Sequence, residues 1–141
     1  MNRSASAVWQ GSFKEGKGTI STETGALKEA PYSVSSRFEG RPGTNPEELL
    51  GAAHAGCFSM ALSLILGEAK FTADRIDTKA DVTLEKVAEG YAITAVHLTL
   101  KAKIPGIDKA KFDELTAKAK NGCPVSKVLN AKISLDATLV S

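Results

Sequence analysis

Two cysteines, two histidines and an arginine with nearby glutamates are the residues on which chemistry could rest. Cys57 lies inside an apolar, helix-forming run, LLGAAHAGCFSMAL. Cys123 sits in NGCP, a helix stop followed at once by a helix start. The two are far apart in sequence, so they form no CxxC motif. A reactive cysteine must be a thiolate, with a pKa below the free value of about 8.5. Cys123 fits a helix N-cap ahead of Pro124, where first-turn N–H groups stabilise a thiolate. Cys57 falls about three turns into its helix, where the helix dipole has faded. On these grounds Cys123 reads as the reactive thiol and Cys57 as a buried one.

For Cys57 to react, a cation would have to come from elsewhere. Arg37 is the candidate, because it does not deprotonate and its fork can hold a thiolate and a second anionic atom together. A solvated strand arginine is the plainer reading of the same residue. Glu47 and Glu48 open the helix that carries Cys57. Glu48 falls three residues after Asn45 and can close a capping box with it. Glu47 is then free to pair with Arg37 and orient its guanidinium. Both glutamates also read as an acidic first turn that favours the dipole. His54, Cys57, His97 and Cys123 together have the types of a zinc site, but only His54 and Cys57 have local spacing that suits a metal. Two inert buried thiols are the third reading of the cysteines.

The elements that position these residues follow from pattern. The chain has 141 residues, 43% hydrophobic and 24% charged, which fits one domain spanning 1–141. Net charge is +2, with no basic stripe: residues 1–70 carry seven charges of each sign, and 71–141 carry eleven basic and nine acidic. Nucleic acid is therefore not an expected partner. The first residues, MNRSASAVW, lack the apolar stretch of a signal peptide, so a cytoplasmic location is the expectation. There a structural disulfide is not expected. Residues 49–67 hold no charge and reach membrane-span length, but they are rich in Ala, Gly and Ser and lack flanking basic clusters. A core helix rather than a membrane span is expected.

The first 40 residues read as antiparallel strands with turns at EGKG and ETG. Tyr32, Val34 and Phe38 alternate with Ser33, Ser35, Arg37 and Glu39, which places Arg37 on the polar face of a strand. Asn45 as N-cap and Pro46 at the first position start a helix that runs to about Ala69, about 36 Å long and apolar nearly all round. Residues 76–84 and 96–104 alternate as paired strands. Asp108 caps a helix with the stripe Phe112, Leu115 and Ala119. Val125, Val128 and Leu129 pack the short helix after Cys123, and Ile133, Leu135, Ala137 and Leu139 form a last strand. The class is α+β with antiparallel sheets.

The words GTNPEELLGAAHAGCFSMALSLILGEA and PGIDKAKFDELTAKAKNGCPVSKVL, with WQGSFKEGKGTISTETG and PYSVSSRFEG, resemble the OsmC branch of the OsmC/Ohr thiol peroxidases in order and spacing. The resemblance covers nearly the whole chain. It implies an OsmC-like fold, with antiparallel sheets around a long buried central helix in an intertwined homodimer. It implies a peroxidatic cysteine at Cys57 in the AAxAxCF word and a resolving cysteine at Cys123 in the CPVS word. Arg37 in RFEG and Glu47 after NP complete the implied site. The implied activity is reduction of organic hydroperoxides, and more weakly of hydrogen peroxide, in defence against oxidative and osmotic stress. The implied electron donor is a dithiol, such as a lipoyl-type one, with no metal or other cofactor.

Overall fold

A computed structural model describes residues 1–141, which divide into two compact units, Met1–Leu49 and Leu50–Ser141. In the first unit, β1 (Ala5–Gln10), β2 (Lys17–Thr22) and β3 (Ala30–Tyr32) form an antiparallel sheet in that order. Gly18 sits where the Tyr32 ring, the Trp9 ring and the Val8 carbonyl crowd together, so a side chain there would force them apart.

The expected strand through Arg37 is not formed. Residues Val34–Phe38 make a short helix, α1, instead. The cause is local. Ser33 is an N-cap whose hydroxyl accepts from the Ser36 N–H at 3.1 Å, and the Ser36 hydroxyl accepts from the Ser33 N–H at 2.9 Å. A reciprocal serine box satisfies two free helix donors, and this outweighs an alternation that spans few residues. Ser36 also donates to the Thr44 carbonyl at 2.8 Å, which ties α1 to the loop that follows.

Helix α2 (Pro46–Glu68) begins where expected. Asn45 Oδ1 accepts from the Glu48 N–H at 2.8 Å. The other half of the expected capping box is replaced: the Glu48 carboxylate accepts from the Thr44 hydroxyl at 2.9 Å. At the far end, Phe71 N–H bonds to the Leu66 carbonyl at 2.8 Å and Lys70 takes φ of 70°. These features stop the helix as left-handed caps do.

The second unit holds a long hairpin, β4 (Arg75–Val87) and β5 (Gly90–Lys103), then α3 (Lys109–Gly122), α4 (Pro124–Val128) and β6 (Lys132–Val140). Sheet order is β4-β5-β6. The α+β class holds, but β6 runs parallel to β5 rather than antiparallel. The two helices between them form the crossover that a parallel pair requires. Asp108 caps α3 as expected, accepting from the Lys111 N–H at 2.7 Å.

Phe58, Leu62 and Leu66 of α2, Val96, Leu98 and Leu100 of β5, and Phe112, Leu115 and Ala119 of α3 are buried in one core. Burying each large side chain is worth about 1.5–3 kcal/mol. The expectation that α2 is wrapped on most sides is not met within one chain. His54, Phe58, Leu62 and Leu66 form a buried stripe, whereas Met60 and Leu64 stand 77% and 66% exposed. By length and composition alone α2 could cross a membrane. One stripe of it, Phe58, Leu62 and Leu66, joins the core formed with β5 and α3.

Candidate active site

Cys57 projects from the middle of α2 and is partly buried; Cys123 is fully buried at the junction of α3 and α4. The sequence separates them, and the fold brings the Cys123 thiol close enough to Cys57 to bear on its ionisation. Both are free. The Cys123 position arises because it ends one helix and starts another. Its N–H bonds to the Ala119 carbonyl at 3.0 Å, and its carbonyl accepts from the Lys127 N–H at 3.1 Å.

The expectation that Cys123 takes the first-turn N–H groups of α4 is not met. Its side chain makes no capping hydrogen bond. The Val125 N–H of that first turn acts on the Cys57 thiol instead, favouring its thiolate. The reading of Cys57 as beyond the help of any helix terminus is therefore corrected: the terminus belongs to α4, not to its own helix. Burial pushes the Cys57 thiol up from its usual range. The Cys123 thiol pushes the same way, and the Val125 N–H opposes both. None of the groups acting on Cys57 here is a cation.

His54 lies one turn before Cys57 and is 0% exposed. One ring nitrogen, Nε2, is 2.7 Å from the Ser126 hydroxyl on α4, and the other, Nδ1, has no partner. Burial holds its pKa below the usual value, so it is neutral at pH 7 and supplies no charge to Cys57. His97 is a polar bridge from β5 to β6: Nδ1 is 2.7 Å from the Ser134 hydroxyl and Nε2 is 3.1 Å from Asp136. No cluster of three or more His, Cys, Asp or Glu side chains suits a metal.

The first unit builds the Arg37–Glu47 pair that the sequence pointed to. Arg37 Nη2 donates to Glu47 Oε1 at 2.6 Å, and Nε lies 3.1 and 3.2 Å from the two carboxylate oxygens. The Glu47 side chain is 11% exposed and that of Arg37 34%. Such a forked contact fixes the plane of the guanidinium as well as its position. The Arg37 guanidinium also lies 5.5 Å over the Phe38 ring. Beside the pair is a cleft of about 280 Å³ whose walls include Trp9, Phe13, Tyr32, Val34 and Phe38. It is an apolar wall with one cation at its edge. Glu48, by contrast, faces Thr44 and takes no part.

Two contributors were missed from the sequence. The Val125 N–H could not be assigned, because nothing local says which thiol it acts on. The Ser126 hydroxyl was missed because its partner lies far away in sequence; the signal available was the shared one-turn spacing of His54 before Cys57 and of Ser126 after Cys123.

Residues 38–138 match the family model described as OsmC-like protein. The chain is 57% identical to Peroxiredoxin OsmC of Escherichia coli (strain K12) over 141 residues, covering 100% of this chain and 99% of that one. It is 31% identical over 101 residues to the organic hydroperoxide resistance protein of Xanthomonas axonopodis pv. citri, covering 71% and 69%. The solved structure of the organic hydroperoxide resistance protein OhrB of Bacillus subtilis superposes with a TM-score of 0.71 at 27% identity, covering 96% and 98%. By the family-model match over most of its length and by its identity to Peroxiredoxin OsmC, the chain belongs to the OsmC-like protein family.

Proposed function

We propose that this protein is a cysteine-based hydroperoxide reductase that acts on organic hydroperoxides in preference to hydrogen peroxide. The observation that carries the reading is the closeness of the Cys57 and Cys123 thiols. A protein with two inert thiols has no need to bring them together. In this reading the Cys57 thiolate attacks the terminal peroxide oxygen: the S–O bond forms, the O–O bond breaks, and the alkoxide leaves as alcohol after taking a proton. Cys57 is then a sulfenic acid. The Cys123 thiolate attacks that sulfur: the S–S bond forms, the S–O bond breaks, and hydroxide leaves as water. A dithiol donor, such as a lipoyl-type one, reduces the disulfide by exchange.

Arg37 supplies the cation that the surroundings of Cys57 in its own unit lack, and Glu47 holds the guanidinium in plane. The apolar cleft beside Arg37 favours an organic peroxide over hydrogen peroxide, since it rewards an alkyl or aryl group with burial. The working species is a homodimer. The exposed stripe of α2 runs Ala53, Gly56, Met60, Leu64, and a second copy is the occupant suited to an uncharged helical stripe with small residues. The names of the relatives, a peroxiredoxin and organic hydroperoxide resistance proteins, support the same activity. The protein works in the cytoplasm, in defence against oxidative and osmotic stress. The test is a thiol titration before and after one equivalent of cumene hydroperoxide. Loss of both thiols is expected, and retention of both would favour the inert-thiol reading. A metal assay on purified protein separates the zinc reading.

A further inference from the structure

We propose that the His54–Ser126 hydrogen bond is a positioning element for the second half of the reaction: it fastens α4, which carries Cys123 at its cap, to the helix that carries Cys57, and so sets how often the Cys57 sulfenic acid closes onto Cys123 before a second peroxide reaches it. The inference rests on the reading of Cys57 as attacker and Cys123 as resolver.

The geometry is a pair of rungs. His54 and Cys57 are one turn apart on α2, and Cys123 and Ser126 are one turn apart across the start of α4. The closeness of the thiols pairs Cys57 with Cys123, and the 2.7 Å hydrogen bond links His54 to Ser126. Helix α4 needs such a fastening. It is five residues long, has no fully buried residue, and leaves Val128 77% exposed. Apolar packing alone therefore holds it weakly.

His54 is also an expensive choice for a core position. It is fully buried and Nδ1 has no partner, so a hydrophobic side chain would cost less there. An unpaired buried N–H costs more than an unpaired lone pair, so the ring proton belongs on Nε2 and is donated to the Ser126 oxygen. All of the polar engagement of His54 is thus spent on α4.

The consequence lies in a partition. The sulfenic acid either condenses with Cys123 and releases water, or attacks a second peroxide, forming a second S–O bond as that O–O bond breaks, releasing the alcohol and becoming a sulfinic acid. The first path depends on Cys123 staying within reach; the second depends only on peroxide concentration.

The experiment uses the full chain, pulsed with increasing cumene hydroperoxide and read by intact mass for disulfide against sulfinate, with the attack step followed by stopped flow. Ser126→Val and Ser126→Thr have the same shape and differ by the hydroxyl. Ser126→Val is expected to reach half sulfinate at about three- to tenfold lower peroxide than wild type, the factor one net hydrogen bond corresponds to. Ser126→Thr is expected to restore the wild-type partition. Should Ser126→Val prove poorly folded, Ser126→Ala gives the same reading. An unchanged partition in a folded variant without the hydroxyl overturns the proposal, as does slowed attack with the partition intact. If the wild type forms sulfinate but never a Cys57–Cys123 disulfide, the underlying assignment of the two thiols is what has failed.

Discussion

Replacing Glu47 with glutamine separates the aiming of Arg37 from mere helix capping. The pair meets through Nη2 to Oε1 at 2.6 Å and through Nε to both oxygens at 3.1 and 3.2 Å. A glutamine keeps one oxygen and sets an amide –NH2 where the other oxygen accepted, donor against donor. Breaking a fully buried ion pair costs about 3–5 kcal/mol. Here the Arg37 side chain is 34% exposed, so water recovers part of the loss. The expected destabilisation is about 1–3 kcal/mol, the range for a hydrogen bond to a charged group. The kinetic effect is larger relative to wild type, because a guanidinium no longer held in plane misplaces its donors, and misplacement of about 1 Å can cost 10²-fold. Attack is expected to slow by about 10–100-fold. Glu48→Ala is the control. The Asn45 cap bonds to the backbone N–H of Glu48 and survives the change; only the 2.9 Å contact with Thr44 is lost. A cost of about 1 kcal/mol or less and near-normal attack are expected. Urea unfolding and single-turnover stopped flow with cumene hydroperoxide give both numbers. Equal kinetic damage from the two substitutions, or an unaffected rate in Glu47→Gln, would refute the division of roles.

Arg37→Ala removes the cation proposed for Cys57 and leaves the thiol to burial and to Cys123, opposed by the Val125 N–H alone, so the thiolate is expected to form at higher pH than in wild type and attack to fall about 10²–10³-fold; a thiolate absorbance titration near 240 nm reads the shift directly. Leu64→Asp places a charge on the exposed apolar stripe of α2, and light scattering is expected to show a monomer where the wild type gives twice the 14.8 kDa chain. Wild-type unfolding is expected to depend on protein concentration, which a concentration-independent midpoint would contradict. Buried His54 resists protonation, whereas the unfolded chain binds that proton below about pH 6.5. The unfolded state then holds more protons, so stability is expected to fall as pH drops through this window. Urea titrations at about pH 7 and pH 5 are expected to show a shallower fall in His54→Gln than in wild type.

Much of the frame was legible because it is written in local pattern. Pro46 after Asn45 started α2, Asp108 started α3, and the alternation of Val96, Leu98 and Leu100 marked a strand with one core face. What failed was decided by competition or by distance. The stretch from Ser33 to Phe38 alternates like a strand, yet two serine hydroxyls spaced for a capping box made it a helix. The direction of β6 depends on the crossover through α3 and α4, which alternation does not encode. The Arg37–Glu47 pair could be anticipated by eliminating Glu48, although the elimination was only half right, since Glu48 serves Thr44. At the thiols, sequence physics gave the N–H groups of α4 to Cys123, whereas in the fold the Val125 N–H acts on Cys57. No local signal carries that choice, because it depends on how α4 docks on α2.

The order of the two thiols is tested most directly by paired serine variants given one equivalent of cumene hydroperoxide in the presence of a sulfenic-acid trap. Cys123→Ser is expected to consume the peroxide once and carry the trap on Cys57, while Cys57→Ser consumes none. Turnover by Cys57→Ser with an unreactive Cys123→Ser would contradict the account and make Cys123 the attacking thiol.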